Sequence, residues 1–204
     1  FSWESHGDFN NRALYPFHYR SLNFIDNTIY HGYFQSEKYF PNRDYILNLF
    51  EPSDFVIGII ESKYGQFLNG ETCAIHVRRG DYVGNKYHEV VDNEYYKKGI
   101  EYISSKTVIE KIHVFSDDID WCRENLAFKI PAMFVDDGYA GSKGEGHMFL
   151  MSQCHYFIIA NSSFSWWGAW LSNYENKIVV CPKQWFTDAS IDTNDLMPKD
   201  WIRM

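Results

Sequence analysis

A chain of 204 residues has room for one large domain or two small ones, and 45% hydrophobic residues supply enough apolar surface for a core. Its 27 acids against 19 bases give a net charge of −8, which excludes an extended nucleic-acid surface but leaves room for a nucleotide gripped by local cations. No apolar run approaches the ~18 residues of a membrane span, and no secretory leader is recognisable.

Residues 1 to about 52 are rich in Asn, Tyr, Phe and His and carry little periodicity. Thr28–Phe34 reads as one strand, and Ser36–Pro41 as a short helical turn stopped by proline. Ser53 is placed to cap a helix running through Phe67, which Gly70 breaks. A β/α rhythm then sets in. Strand-like runs fall at Thr72–Val77, Lys111–Phe115, Ala132–Val135, Tyr156–Ala160 and Lys177–Val180. Helical patterns follow most of them: Asn93–Ser105, Asp118–Phe128, Gly146–His155 and the tryptophan-rich Ser163–Asn173. The Met148, Met151 and Cys154 stripe reads as core. Such alternation predicts an α/β fold, a Rossmann-like parallel sheet with helices on both faces. Pro182–Met204 reads as irregular, with one helical turn near Asp192. The cysteines (Cys73, Cys122, Cys154, Cys181) sit in or beside apolar segments without any Cys-x-x-Cys, so buried free thiols in a reducing, cytosolic setting are expected. High aromatic content (19%) suits a large aromatic core better than a sugar-stacking surface.

Three of the predicted strands end in polar groups. The first runs straight into Arg78-Arg79-Gly80-Asp81, the second into Ser116-Asp117-Asp118 and the fourth into Asn161-Ser162-Ser163. In a parallel sheet all three reach one edge, where ligands of open α/β folds bind. Arginine grips phosphate in a bidentate way, and glycine lets the backbone turn sharply beside it. Ser163 is placed to cap the tryptophan helix, whose first amides would face an anion. The arginines and that helix start would clamp a diphosphate, and the acids after the second strand would accept hydrogen bonds from a ribose or base. The plainer alternative is a pair of surface arginines in salt bridges with neighbouring acids. Asp117-Asp118 also resembles the paired acids that hold a divalent metal on a nucleotide-sugar; with two arginines present, a metal-free site is expected. His147 and His155 are eight residues apart and make no zinc motif.

The segments His76-Val-Arg-Arg-Gly-Asp-Tyr82, Phe115-Ser-Asp-Asp118, Leu150–Cys154 and Ile159–Leu171 closely resemble the α-1,2-fucosyltransferase family of inverting, GDP-fucose-dependent glycosyltransferases. Gly32–Phe40 is similar too, so the resemblance spans about residues 30 to 182. It implies the donor-binding half of a two-domain GT-B-type enzyme with part of its N-terminal domain: residues 1–70 the remainder of the acceptor-side domain and a connecting helix, residues 71–204 the donor domain. The implied reaction moves L-fucose from GDP-fucose to a galactose 2-hydroxyl of a glycan with inversion, as a galactoside α-1,2-fucosyltransferase, without cofactor or metal. A non-catalytic nucleotide- or glycan-binding remnant is the alternative. By resemblance Arg78 contacts the β-phosphate, Arg79 supports it, His76 lines the site and Ser163 touches the diphosphate. Asp81, grouped with Arg78 and Arg79 as catalytic, and Asp117 either structure the site or bind donor hydroxyls, while Ser116, His147, Asn161 and Ser162 complete the donor set with Asp117. His147 stands where related enzymes read guanine with an acid, so weakened guanine selectivity is expected unless Glu145 substitutes. The family's opening Gly-Gly-Leu-Gly-Asn-Gln segment has no counterpart, so the chain is expected to correspond to the C-terminal two-thirds of such an enzyme. A bacterial-type cytoplasmic location is expected, with membrane association if an upstream segment carries an anchor.

Overall fold

In the computed structural model, residues 11–15, 19, 21, 26–32, 34–40, 42–136 and 144–204 are described. They fall in two compact units. One contains the described residues up to Ile46 together with Ala189–Lys199; the other contains Leu47–Asp188 and Asp200–Met204. The long helix before the first central strand lies in the second unit, packed against the helix at Glu145–Ser152. Residues 189–199 leave the C-terminal unit for the first one.

The first unit holds β1 (Asn11–Tyr15) and β2 (Thr28–Gly32), paired in parallel. The strand expected at Thr28–Phe34 thus ends two residues early, and Tyr33 lies outside the described residues. A 3-10 turn, Glu37–Tyr39, follows where a helical turn was expected; the Ser36 side chain accepts the Lys38 amide at 3.3 Å. Pro41, expected to stop it, is also outside the described residues. Asp195 accepts from the Lys38 ammonium and from the Tyr19 amide, tying residues 189–199 to this unit. The region near Asp192 is a turn without a helix.

A short helix, α1 (Arg43–Leu49), was not foreseen and runs into the second unit. That unit continues with α2 (Asp54–Leu68), β3 (Thr72–Val77), α3 (Asn93–Ser104), β4 (Lys111–Ser116), α4 (Ile119–Asn125), β5 (Ala132–Phe134), α5 (Glu145–Ser152), β6 (Tyr156–Ile158), α6 (Ser163–Leu171), β7 (Ile178–Cys181) and β8 (Ile202–Arg203). The strand order is β5-β4-β3-β6-β7-β8, and every pairing is parallel. This is the doubly wound order, with its reversal between β3 and β6. Five of the six strands match predicted runs. β8 does not, because two residues hydrogen-bonding to Val180 and Cys181 leave no periodic trace.

All six residues of β3 are buried, as a central strand covered on both faces requires. Cys73, Ile75 and Val77 pack with Ile112 and Val114 of β4 and with Tyr95, Tyr96 and Ile103 of α3. The alternate residues meet the other helix layer: Thr72 lies against His155, and His76 against Phe164 of α6, ring centres 5.3 Å apart. Two glycines let helices close in. A Cβ on Gly99 would come within 2.9 Å of Ile158, and one on Gly168 within 2.4 Å of the Met151 sulfur. The four cysteines are free and buried, as expected.

Candidate active site at the carboxyl edge of the sheet

β3 and β6 are neighbours at the point where strand order reverses, and Ile75 pairs with Ile158. Three residues further along each strand stand Arg78 and Asn161, so the two polar tails leave the sheet side by side. The topology therefore brings the first and fourth polar strand ends to the crevice where doubly wound sheets take their ligands. The second polar end, after β4, lies next to the first.

The acids after β3 and β4 pair with the two arginines. Arg78 is one-third exposed and ion-paired with Asp81 at 2.7 Å and Asp117 at 3.2 Å. Arg79 donates through Nε to Asp118 at 3.2 Å, and its guanidinium lies 3.8 Å from the centre of the Trp121 ring. Asp117 also accepts the Arg79 backbone amide through its other oxygen, at 2.9 Å. Asp118 caps α4 by accepting the Trp121 amide, and its own amide donates to the Ser116 hydroxyl. Asp117 and Asp118 thus bind arginines and cap a helix, the salt-bridged arrangement given above as the plainer alternative. The two arginines divide as well. Arg79 is bound to α4, while Arg78 stays at the reversal point.

Gly80 is required by this arrangement. A Cβ there would stand 2.5 Å from the Asp117 carboxylate oxygen that pairs with Arg78. The glycine is a space requirement as much as a turn.

Arg78 rests 5.5 Å from the centre of the Tyr82 ring. The Tyr82 hydroxyl donates to the Asn161 backbone carbonyl at 3.0 Å, and its ring stacks on His88 at 4.5 Å. The Asn161 side-chain amide donates to the Glu89 and Trp185 carbonyls, at 3.2 and 3.0 Å. Tyr82, Trp121 and His88 were absent from the sequence-derived set. Tyr82 is visible there only as the last letter of the arginine motif.

His76 is buried, and burial together with the nearby Arg78 charge lowers its pKa to about 3. It is neutral at physiological pH. His76 Nδ1 and Asn161 Oδ1 are buried atoms without a hydrogen-bond partner, a costly state. The cap residue of α6 is Ser162, one position earlier than expected, and it makes no side-chain cap bond; Ser163 is the first helical residue and exposed. Ser162 instead accepts at its carbonyl from the Trp166 amide and the Ser165 hydroxyl. The first amides of α6 keep the positive end of that helix at the crevice.

His147 lies in the first turn of α5 and is buried, its Nε2 2.9 Å from the Asp136 carbonyl. A carbonyl only accepts, so that nitrogen carries a proton. Glu145, two residues earlier in α5, lines a groove of about 580 Å³ with Met148, Phe149 and the segment around Phe50. Among the described residues no group of three or more His, Cys, Asp or Glu side chains is placed to hold a metal, and no helix is long and apolar enough to cross a membrane.

Comparison with known proteins bears on this geometry. The family profile described as glycosyl transferase family 11 matches residues 11–204. The chain is similar to the O-antigen biosynthesis glycosyltransferase WbnK of Escherichia coli, 39% identical over 80% of this chain and 56% of that one. An α-1,2-colitosyltransferase of Escherichia coli is 36% identical over 85% of this chain and 61% of its own length. A galactoside α-(1,2)-fucosyltransferase 1 of Aotus azarae is 33% identical over 48% of this chain and 28% of its own length. The chain therefore spans about three-fifths of the length of the two bacterial relatives.

Proposed function

Because the chain belongs to glycosyl transferase family 11, we propose that its sheet edge holds GDP-fucose and that it serves transfer of L-fucose, with inversion, to a galactose 2-hydroxyl of a glycan. The observation that carries this reading is Arg78: a partly exposed guanidinium at the strand-order reversal, seated on Tyr82 and beside the chain that enters α6. The names of the relatives, two of them α-1,2-glycosyltransferases, support the linkage.

In this reading the bond between the sugar C1 and the β-phosphate oxygen breaks, and its electron pair leaves on the diphosphate. The acceptor oxygen bonds to C1 from the opposite face and loses its proton to water. Negative charge grows on the phosphate oxygens as the sugar becomes oxocarbenium-like. Arg78 and the first amides of α6 meet that growing charge, which favours the transition state over the ground state. To do so Arg78 exchanges its bonds to Asp81 and Asp117 for phosphate oxygens. Arg79, held by Asp118 and Trp121, fixes the backbone from which Arg78 projects. The arginine supplies the counter-charge, so the reading needs no metal.

Arg78→Ala tests it. With GDP-fucose as donor and lactose as acceptor, GDP release should fall by about 10²- to 10³-fold, the usual cost of one charge-stabilising donor. Unchanged turnover excludes the role given to Arg78. GDP binding by calorimetry without any transfer would assign this chain a binding role instead. The colitosyltransferase relative and the histidine at position 147 favour one second reading, a different GDP-linked sugar; competition among GDP-sugars, UDP and ADP for the site decides it.

A further inference from the structure

The residues around Arg78 form a connected support that the reaction itself does not require. The guanidinium lies on the Tyr82 ring; the Tyr82 hydroxyl donates to the Asn161 carbonyl; the Asn161 amide donates to Glu89 and Trp185. Behind Tyr82 the rings continue, with His88 stacked at an interplanar angle of 12° and Phe186 beyond it at 5.4 Å. Three loops at the sheet edge, those after β3, β6 and β7, are thus joined through one tyrosine and one asparagine. Tyr82 sits at the junction, four residues beyond Arg78 in sequence.

We infer that Tyr82 is a positioning residue: its ring carries the Arg78 guanidinium and its hydroxyl fixes that ring to the backbone entering α6, so the cation and the helix start face one diphosphate at a set separation. The physical basis is the geometry of the side chain. Arginine has several rotatable bonds, and its two carboxylate partners, Asp81 and Asp117, must be given up when phosphate arrives. A contact that survives this exchange is needed to keep the guanidinium in place, and an aromatic face offers one without competing for the N–H donors. The Tyr82 phenol suits the donor role. Burial, with Asp81 and Asp117 nearby and Arg78 opposing, holds its pKa above the ordinary value, so it stays protonated.

This inference rests on the diphosphate reading, and its test separates the two. GDP and GMP are titrated by calorimetry into the wild-type chain, Tyr82→Phe and Tyr82→Ala. They differ by the β-phosphate assigned to Arg78. Wild type should bind GDP more tightly than GMP. Tyr82→Phe keeps the ring and loses the hydroxyl bond; its GDP affinity should fall by about tenfold, the worth of one partly buried hydrogen bond, with GMP affinity unchanged. Tyr82→Ala should lose the preference for GDP altogether. A merely structural tyrosine would lower both affinities together, and that result overturns the inference. So does a GDP preference in Tyr82→Phe and Tyr82→Ala equal to that of wild type. If wild type itself does not distinguish GDP from GMP, the diphosphate reading falls first and takes this one with it. A cooperative melting transition for each variant confirms that folded protein was titrated.

Discussion

At the residue scale the site is a problem of sharing acceptors. Asp117 has two oxygens and serves two consecutive residues, the Arg79 amide and the Arg78 guanidinium. Its approach depends on the bare α-carbon of Gly80. Gly80→Ala should displace Asp117 and loosen Arg78, weakening GDP binding by about 1 kcal/mol, several-fold in Kd, measurable by calorimetry. His76 offers a pH prediction. Its pKa falls from the ordinary 6.5 to about 3 on folding, so it contributes stability that is complete above pH 6.5 and is lost as pH falls toward 3. Urea unfolding between pH 7 and pH 4 should show the wild type losing stability more steeply than His76→Gln. Parallel slopes would mean that His76 is not held neutral by its surroundings. The arginine pair and Gly80 were legible in the sequence because they sit next to one another. The double acceptance by Asp117 was not, since it joins residues 38 positions apart.

At the element scale the layers are set by small residues. α5 and α6 cross where Gly168 faces Met151, and α3 lies on β6 where Gly99 faces Ile158. Gly168→Ala should cost about 1 to 3 kcal/mol by overpacking, seen as a lower urea midpoint with an unchanged slope. Combining it with Met151→Ala should recover part of the loss, because the two changes share one space. If the double variant is destabilised by the full sum, the crossing is looser than described. The long central helices and strands were legible from apolar period and β-branched runs. α1 and β8 were not. α1 has only seven residues, too few for a clear apolar period, although Asn42 caps it by accepting the Tyr45 amide at 3.1 Å; β8 exists because Cys181 has a free edge for it to pair with.

At the scale of the whole molecule the buried thiols give a simple check. Burial raises the pKa of all four cysteines, that of Cys154 and Cys181 to about 12. None should react with a thiol reagent at pH 8 in the native protein, and all four should react in denaturant. A fast-reacting thiol in the native state would place one of these residues at the surface. The same scale separates what local sequence determines from what the fold decides. Sequence alone determined the alternation of strands and helices, the parallel sheet and the Arg-Arg-Gly-Asp turn, because periodicity and turn chemistry act between near neighbours. The tertiary structure decided that Arg78 and Arg79 pair with different acids, that the Tyr82 ring lies against Arg78, and that α2 belongs with the sheet. Those outcomes depend on which strand lies beside which, and strand order brings together side chains that no local pattern relates.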